Sequence, residues 1–231
     1  MSGAKIVFKL ITREGERSYP AVISTAIIAG WTGRDKEAME KHIVELEAIG
    51  VARPATTPIY YRVAATRLTT AGEIQVTGKD SSGEAEYILT SLDGRLWVGV
   101  GSDHTDRKVE TIGVTISKQM CEKPISDELW PYDEVADHWD TLILRSYVVE
   151  DGQTHLYQEG PVTTMIDPLK LIAGYPATQG QLRDGALMFC GTLAAKGGIR
   201  PAPRFLFELE DPVLKRKIGN AYDIVSIPVE G

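Results

Sequence analysis

Two glutamates stand two residues apart in the segment GEAEYIL, residues 83–89. The segment predicts a strand, in which side chains two residues apart point to one face, so Glu84 and Glu86 would lie side by side. Its apolar residues fall on both faces, which indicates a partly buried strand. Two buried carboxylates repel each other unless a cation compensates them, and a divalent ion such as Mg²⁺ prefers oxygen ligands. The alternative is a solvated sheet edge with two ordinary surface glutamates.

A third oxygen ligand is predicted in the segment VGVGSDHTDR, residues 98–107, which passes from an apolar strand through glycines into polar residues. Asp103 stands at the exit of that strand, where functional residues are often placed. Asp106 and His104 are alternative ligands. A plain helix cap by Ser102 or Asp103 is the alternative structural interpretation.

A histidine and a glutamate, His42 and Glu45, stand three residues apart in the clearest predicted helix, which begins near Thr32 or Asp35 and ends at Gly50. Such residues occupy neighbouring positions on a helix surface. A carboxylate beside an imidazole raises its basicity and orients it, as a general base acting on water requires. The alternative is a boundary histidine with an incidental acidic neighbour.

Most of the remaining elements that would position these residues are strands. The pattern predicts strands at residues 5–11, 22–29, 59–63, 142–149, 205–209 and 222–229, and residues 186–193 form an apolar run. Asp93-Gly94 predicts a hairpin turn, and helices are predicted from Thr105 and over residues 167–175. Strands outnumber helices, so the fold class is β-rich α+β.

Composition excludes several classes of protein. The 231 residues carry a formal net charge of −7, without the surplus of Lys and Arg that a nucleic-acid binder needs. No run of 18 apolar residues predicts a membrane span, and the N-terminus lacks the pattern of a secretory signal. Cys121 and Cys190 are far apart, as expected for free thiols in a reducing compartment. We therefore expect a cytoplasmic protein that binds neither nucleic acid nor membrane.

Taken in chain order, these pieces resemble the fumarylacetoacetate hydrolase family. Its members share an H-x-x-E dyad, an E-x-E pair, an N-D-x-S-x-R stretch, a following lysine and a late G-D-x-x-x-x-G-T-P loop. The corresponding segments here are HIVE (42–45), EAE (84–86), SDHTDR (102–107), SK (117–118) and residues 184–192. Each motif is weak, but five in the same order are fairly specific, and they span the chain from about residue 30 onward.

The resemblance implies a metal site and a proton-transfer dyad. Mg²⁺ or Mn²⁺ would bind Glu84, Glu86 and Asp103, and His42 with Glu45 would activate water or move a proton. The implied reaction is a hydrolase or lyase reaction on a small 2-oxo acid or 1,3-dicarbonyl acid, with stabilisation of an enolate. The motifs are common to hydrolysis, hydration, dehydration and decarboxylation, so they predict a class of reaction rather than a substrate.

The resemblance also implies substrate contacts and an architecture. Lys118 would be catalytic and, with Arg107, would lie near the substrate; Arg62 stands where the family often carries another lysine, and Thr192 would lie near the substrate carboxylate. The implied fold is a mixed β-roll with few short helices, usually dimeric. Residues 1–70 would form a strand-helix-strand portion carrying the dyad and residues 71–231 the β-roll core, as one continuous unit.

The sequence departs from the family pattern in four places. The segment GWTGR (30–34) stands where the family has N-Y, the stretch between Glu86 and Asp103 is short, and Ser102 and Leu193 replace Asn and Pro. These changes favour a divergent bacterial branch. They also motivate two alternatives, a non-catalytic small-molecule binding protein that retains the fold and an acidic β-sheet interaction module without a site.

Overall fold

The computed structural model describes residues 3–47 and 53–230, and within them the chain is built mainly from strands. The strands are β1 (Ala4–Thr12), β2 (Gly15–Ile23), β3 (Thr25–Gly30), β4 (Ile59–Val63), β5 (Leu68–Thr69), β6 (Glu73–Thr77), β7 (Ser81–Ser82), β8 (Ala85–Leu92), β9 (Arg95–Ser102), β10 (Thr105–Asp106), β11 (Lys123–Pro124), β12 (Glu128–Pro131), β13 (Ile143–Glu150), β14 (Gln153–Pro161), β15 (Ala186–Thr192), β16 (Arg204–Asp211) and β17 (Arg216–Ile227). The helices are short: α1 (Lys36–Glu47), α2 (Arg107–Glu110), α3 (Val114–Met120), α4 (Tyr132–Val135) and α5 (Pro168–Gly174). Short 3-10 helices span Ala65–Arg67, Ala136–Thr141, Val162–Thr164 and Pro176–Thr178.

Two mixed sheets carry the fold. The larger has eight strands in the order β2-β1-β12-β9-β8-β15-β3-β4, and the smaller has five in the order β14-β13-β16-β17-β6. The strands β8, β9 and β15 lie inside the larger sheet, and every residue of β8 is buried. The sequence predicts an at least partly buried strand here because its apolar residues fall on both faces, and β8 is buried on both.

The core lies on both faces of β8 because successive side chains point to opposite sides. Tyr87 and Leu89 join a cluster that includes Phe205 and Phe207 of the smaller sheet. Ile88 instead joins a second cluster with the side chains of β1, which belongs to the same curled sheet. Each fully buried side chain of this size contributes about 1.5–3 kcal/mol, so the central hairpin is held rigidly. The expected β-rich mixed β-roll with few short helices is confirmed.

Three local predictions are wrong in detail. The apolar run 22–29 is divided between β2 and β3, because the backbone amides of Ser24 and Thr25 both donate to the Gly185 carbonyl, at 2.8 and 3.2 Å. The helix predicted from Thr105 begins only at Arg107, since Thr105 and Asp106 pair with β7. The late loop of residues 184–192 is mostly the buried strand β15.

Two further points concern the helices. The predicted end of the first helix, at Gly50, lies outside the described residues; the described part of α1 runs from residue 36 to 47, and its Ile43 is buried. No helix in the described part of the chain is long and apolar enough to span a membrane.

Candidate metal centre

The acidic residues meet at the open end of the β8–β9 hairpin. Glu84 directly precedes β8 and Asp103 directly follows β9, and the Asp103 amide donates to the Glu84 carbonyl at 2.9 Å. Glu86 lies two residues after Glu84, within β8. At the other end Asp93 and Gly94 adopt φ values of 52° and 71°, as the tight turn of a two-residue hairpin requires. The turn sets the register that places the acids opposite each other.

The three carboxyl groups are close enough to share one ion. One oxygen of each of Glu84, Glu86 and Asp103 lies within 4.8 Å of the other two. Asp103 is 0% exposed and Glu86 3% exposed, while Glu84 is partly exposed. Oxygen ligands held about 2.1–2.6 Å from a cation stand up to about 4–5 Å apart across it. The donor set, three carboxylates and no sulfur or imidazole, fits Mg²⁺ or Mn²⁺.

Three basic side chains oppose these acids. The Lys118 ammonium contacts Asp103 Oδ2 and lies 3.8 Å from Glu84 Oε2. The Lys123 ammonium lies 3.0 Å from Asp103 Oδ1, on the other side of the same carboxylate. Arg107 Nη2 lies 3.1 Å from Glu84 Oε1. Burying charges is costly unless they are paired, so these cations are what allow the acids to be buried.

The pKa values of the two buried acids are shifted in opposite directions. Burial alone would raise the pKa of Asp103, but the ammonium groups of Lys118 and Lys123 outweigh it and lower that pKa to about 2. Glu86, which forms no ion pair with the described residues, has its pKa raised well above the ordinary range by burial and by the charge of Asp103. A cation near Glu86 would favour its ionised form, so the site has a place for additional positive charge.

The two lysines also differ from each other. Burial lowers the pKa of both ammonium groups. At Lys118 the charges of Asp103 and Glu84 more than offset burial, so its pKa is raised. At Lys123 burial prevails over Asp103, and its pKa is lowered. Lys118 is therefore the more strongly held positive charge, and it faces more than one carboxylate.

The neighbouring strand β15 fixes Glu86. The Gly191 amide donates to Glu86 Oε2 at 2.7 Å. Gly191 has a φ of 101°, and the pairing register between β15 and β8 shifts here, as in a β-bulge. A side chain at this position would overlap the hydroxyl of Thr32. Thr192 Oγ1 donates to the Ala85 carbonyl at 2.8 Å, which places this predicted substrate contact beside Glu86 but uses its hydroxyl proton within the sheet.

The alternative ligands point elsewhere. Asp106 Oδ1 accepts from the Val109 amide at 2.8 Å, so Asp106, and not Ser102 or Asp103, caps the helix that follows. His104 is buried, and its Nδ1 lies 2.9 Å from the Tyr222 hydroxyl. Burial, with Lys123 nearby, lowers the pKa of His104 to about 3. Asp103 is the one of these candidates that reaches the two glutamates.

The predicted basic residues are placed differently. Arg107 is held by three partners: Ser82 Oγ at 2.7 Å, Glu84 at 3.1 Å and Glu110 at 3.0 Å. It therefore orients Glu84. Arg62 is exposed on the edge strand β4, and Tyr175 is its polar partner, with 3.4 Å between Nη1 and the hydroxyl. None of its described contacts is with the carboxylate cluster.

The predicted dyad belongs to a part of α1 whose side chains are not described. His42 and Glu45 lie within the helix, three positions apart. The geometry of their imidazole and carboxyl groups is outside the described residues, so the dyad remains a prediction from the resemblance.

A family model decides which family the chain belongs to. The model of the family described as "Protein of unknown function (DUF2848)" matches residues 29–222. The chain belongs to this DUF2848 family. No curated protein matches the chain.

Solved structures share the fold of this DUF2848 protein. A fumarylacetoacetate hydrolase family protein of yeast, ynq8, is 17% identical with a TM-score of 0.64, over 89% of this chain and 94% of that one. A proposed fumarylpyruvate hydrolase of Burkholderia cenocepacia is 18% identical with a TM-score of 0.61, over 99% and 95%. A 2-keto-3-deoxy-D-arabinonate dehydratase complexed with magnesium and 2,5-dioxopentanoate is 16% identical with a TM-score of 0.61, over 95% and 79%. The predicted resemblance is confirmed for the fold.

Sequence reasoning missed three residues near the centre. Lys123 follows Cys121 and Glu122 without a periodic pattern, and it is buried in β11, which pairs with the distant strand β5. Gly191 was visible as part of a motif, but its role in holding Glu86 depends on the bulge. Tyr61, whose ring centroid lies 5.9 Å from the Lys118 ammonium, stands beside the predicted Arg62 and points to the opposite side of β4.

Proposed function

We propose that this protein is a metal-dependent hydrolase or lyase acting on a small 2-oxo acid or 1,3-dicarbonyl acid. The observation that carries the proposal is the cluster of three carboxylates at the end of two buried strands, close enough to share one ion. The relatives support it chemically, because one is described as a dehydratase complexed with magnesium and 2,5-dioxopentanoate and another as a proposed fumarylpyruvate hydrolase.

Glu84, Glu86 and Asp103 would hold Mg²⁺ or Mn²⁺. When bound, such an ion supplies Lewis-acid chemistry that polarises a substrate carbonyl. The protein keeps Asp103 ionised through its two lysines and fixes Glu86 through the amide of residue 191. Because these groups are buried, their charges act in a medium of low dielectric, where they are stronger than in water.

The remaining residues would bind the substrate and move protons. The Lys118 ammonium would neutralise negative charge that develops on a substrate oxygen. His42, oriented by Glu45, would activate water or shuttle a proton. Arg62 and Thr192 would complete the contacts with the substrate carboxylate.

Metal analysis combined with substitution tests the proposal. Protein dialysed against Mg²⁺ or Mn²⁺ is expected to retain one ion per chain, and Glu84→Ala and Glu86→Ala to lose it. Glu159→Ala is the matched control, because Glu159 is a carboxylate of the smaller sheet that pairs with Arg145 instead. Unchanged metal content in both cluster variants would overturn the proposal.

A substrate screen separates the enzyme from a binding protein of the same fold. Small 2-oxo acids and 1,3-dicarbonyl acids are offered with each metal, and turnover is followed. Turnover that disappears in His42→Ala while metal binding persists would refute the non-catalytic alternative. The third alternative, an interaction module without a site, would gain support from carboxylates farther apart than one ion can bridge, whereas one oxygen of each acid of the cluster lies within 4.8 Å of the others.

We further propose that the protein is a cytoplasmic homodimer. Its binding partner would be a small-molecule carboxylate substrate. Both cysteines are free and buried, which suits a reducing compartment. Size-exclusion chromatography with light scattering measures the oligomeric state directly.

A further inference from the structure

The two lysines on Asp103 do not occupy equivalent places. Lys123 is 0% exposed and donates to the His104 carbonyl as well as approaching Asp103 Oδ1, so two acceptors anchor it on the inner side. Lys118 contacts the other oxygen, Oδ2, and lies 3.8 Å from Glu84. Lys118 therefore lies on the side of Asp103 that faces Glu84.

We infer that Lys118 is a built-in cation that competes with the divalent ion for the carboxylate cluster. The inference rests on the proposed metal site. An ion shared by the three acids would take an Asp103 oxygen on the side of Glu84. Oδ2 lies on that side, because its partner, the Lys118 ammonium, is 3.8 Å from Glu84 Oε2. Two cations cannot approach the same oxygen closely without strong repulsion. Ion binding therefore requires Lys118 to withdraw.

The surroundings of Lys118 offer its ammonium group a second position. Lys118 is in the last turn of α3. Its ammonium group is carried on a flexible four-carbon side chain and can therefore change position. The half-buried ring of Tyr61 lies 5.9 Å from the ammonium and offers an aromatic face, which attracts a cation. Without the ion, the Lys118 ammonium holds Asp103 and Glu84 together. With the ion bound, the ammonium would turn toward Tyr61, where the proposed substrate would contact it.

Metal titration of Lys118→Met tests the competition, with Mn²⁺ as the probe and calorimetry as the measurement. We expect Lys118→Met to bind Mn²⁺ at least about tenfold more tightly than the unmodified protein, because the competing charge is gone. Lys108→Met is the matched control: it removes the same charge from an exposed position of the preceding helix, and its affinity is expected to be unchanged. A lysine that merely supported the site would give the opposite sign, so equal or weaker binding by Lys118→Met overturns the inference.

A second measurement needs no variant and so does not depend on how Lys118→Met folds. The unmodified protein is acetylated briefly with and without Mn²⁺, and the modified lysines are located by peptide mass spectrometry. Acetylation of Lys118 is expected to increase several-fold with Mn²⁺, while that of Lys123, anchored on the inner side, stays constant. Unchanged or reduced labelling of Lys118 contradicts the inference.

The same data separate this inference from the proposed function. If all three proteins bind Mn²⁺ at the cluster and Lys118→Met binds no more tightly, the competition is wrong and the proposed enzyme stands. If none binds Mn²⁺ at millimolar concentration, both are wrong.

Discussion

Asp103 shows how a single buried carboxylate is stabilised from two sides. It has no exposure to solvent, and each of its oxygens faces a different ammonium group. A buried charge of this kind is tolerated because it is paired, and removal of one member leaves the others uncompensated. The residue thus serves both the stability of the hairpin end and the proposed coordination of an ion.

Asp103→Asn is therefore expected to destabilise the protein by about 3–5 kcal/mol, because it leaves two buried ammonium groups without their shared partner. Metal affinity is expected to fall more than about tenfold with the loss of a charged ligand. Urea unfolding and metal titration measure the two effects. Asp223→Asn is the control: its exposed pair with Arg204 is worth about 1 kcal/mol or less. Equal costs for the two variants would mean that Asp103 is not the centre of a buried ion cluster.

At the scale of elements, the bulge in β15 decides where Glu86 points. Gly191 combines a φ of 101°, an amide that donates to Glu86 and a neighbour, Thr32, that leaves no room for a side chain. The bulge is thus a local departure from regular pairing that aims a backbone donor at the proposed site.

Gly191→Ala is expected to cost about 2–5 kcal/mol, from the strained φ together with the overlap, and to weaken metal binding by displacing Glu86. Gly180→Ala is a close control, because Gly180 has a similar φ of 88° but open space around it. It is expected to cost only about 1–2 kcal/mol and to leave metal affinity unchanged. Thermal unfolding and Mn²⁺ titration compare the two; similar metal affinities would show that the bulge does not position Glu86.

A second element-level feature is the turn between β16 and β17. Asp211 is buried and accepts from the Leu214 amide, from His138 Nε2 at 3.0 Å and from Arg216 Nε at 3.2 Å. Burial alone would raise its pKa, but these donors lower it below the ordinary 3.8. Since the folded form has the lower pKa, the contribution of Asp211 is fully present above about pH 4 and is lost as the pH falls below it.

Asp211→Asn is expected to reduce the free energy of unfolding by about 1–3 kcal/mol at neutral pH, and this difference should shrink as the pH falls below about 4. Urea unfolding between pH 3 and 7 measures both effects. The exposed Asp140, 3.7 Å from Arg34, provides the control variant Asp140→Asn, for which little change is expected at any pH. A difference that grows with acidification would reverse the assigned sign.

At the scale of the whole molecule, the sequence predicted the parts of the fold that local rules govern. Asp93-Gly94 predicted the hairpin, and the apolar residues on both faces of β8 predicted a strand that is at least partly buried. The predicted hairpin then placed Glu84, at the start of one strand, near Asp103, at the end of the other. The sequence did not reveal Lys123, because its burial depends on pairing between strands about 55 residues apart. Nor did it reveal that Arg107 donates to Ser82 Oγ, 25 residues away in the sequence, and pairs with Glu84. Those features arise from long-range packing, which leaves no periodic signal.

The proposed metal should stabilise the molecule as a unit, because the cluster ties β8 and β9 at the centre of the larger sheet. An ion that binds only the folded state adds about 2.7 kcal/mol at a hundredfold excess over its dissociation constant. For a chain of 231 residues this corresponds to a rise in Tm of roughly 5–10 °C. Calorimetric scans in EDTA and in excess Mg²⁺ or Mn²⁺ measure the rise, which Glu84→Ala and Glu86→Ala should abolish and Glu159→Ala should retain. An equal rise in the cluster variants would place the ion elsewhere and separate the carboxylate cluster from the proposed chemistry.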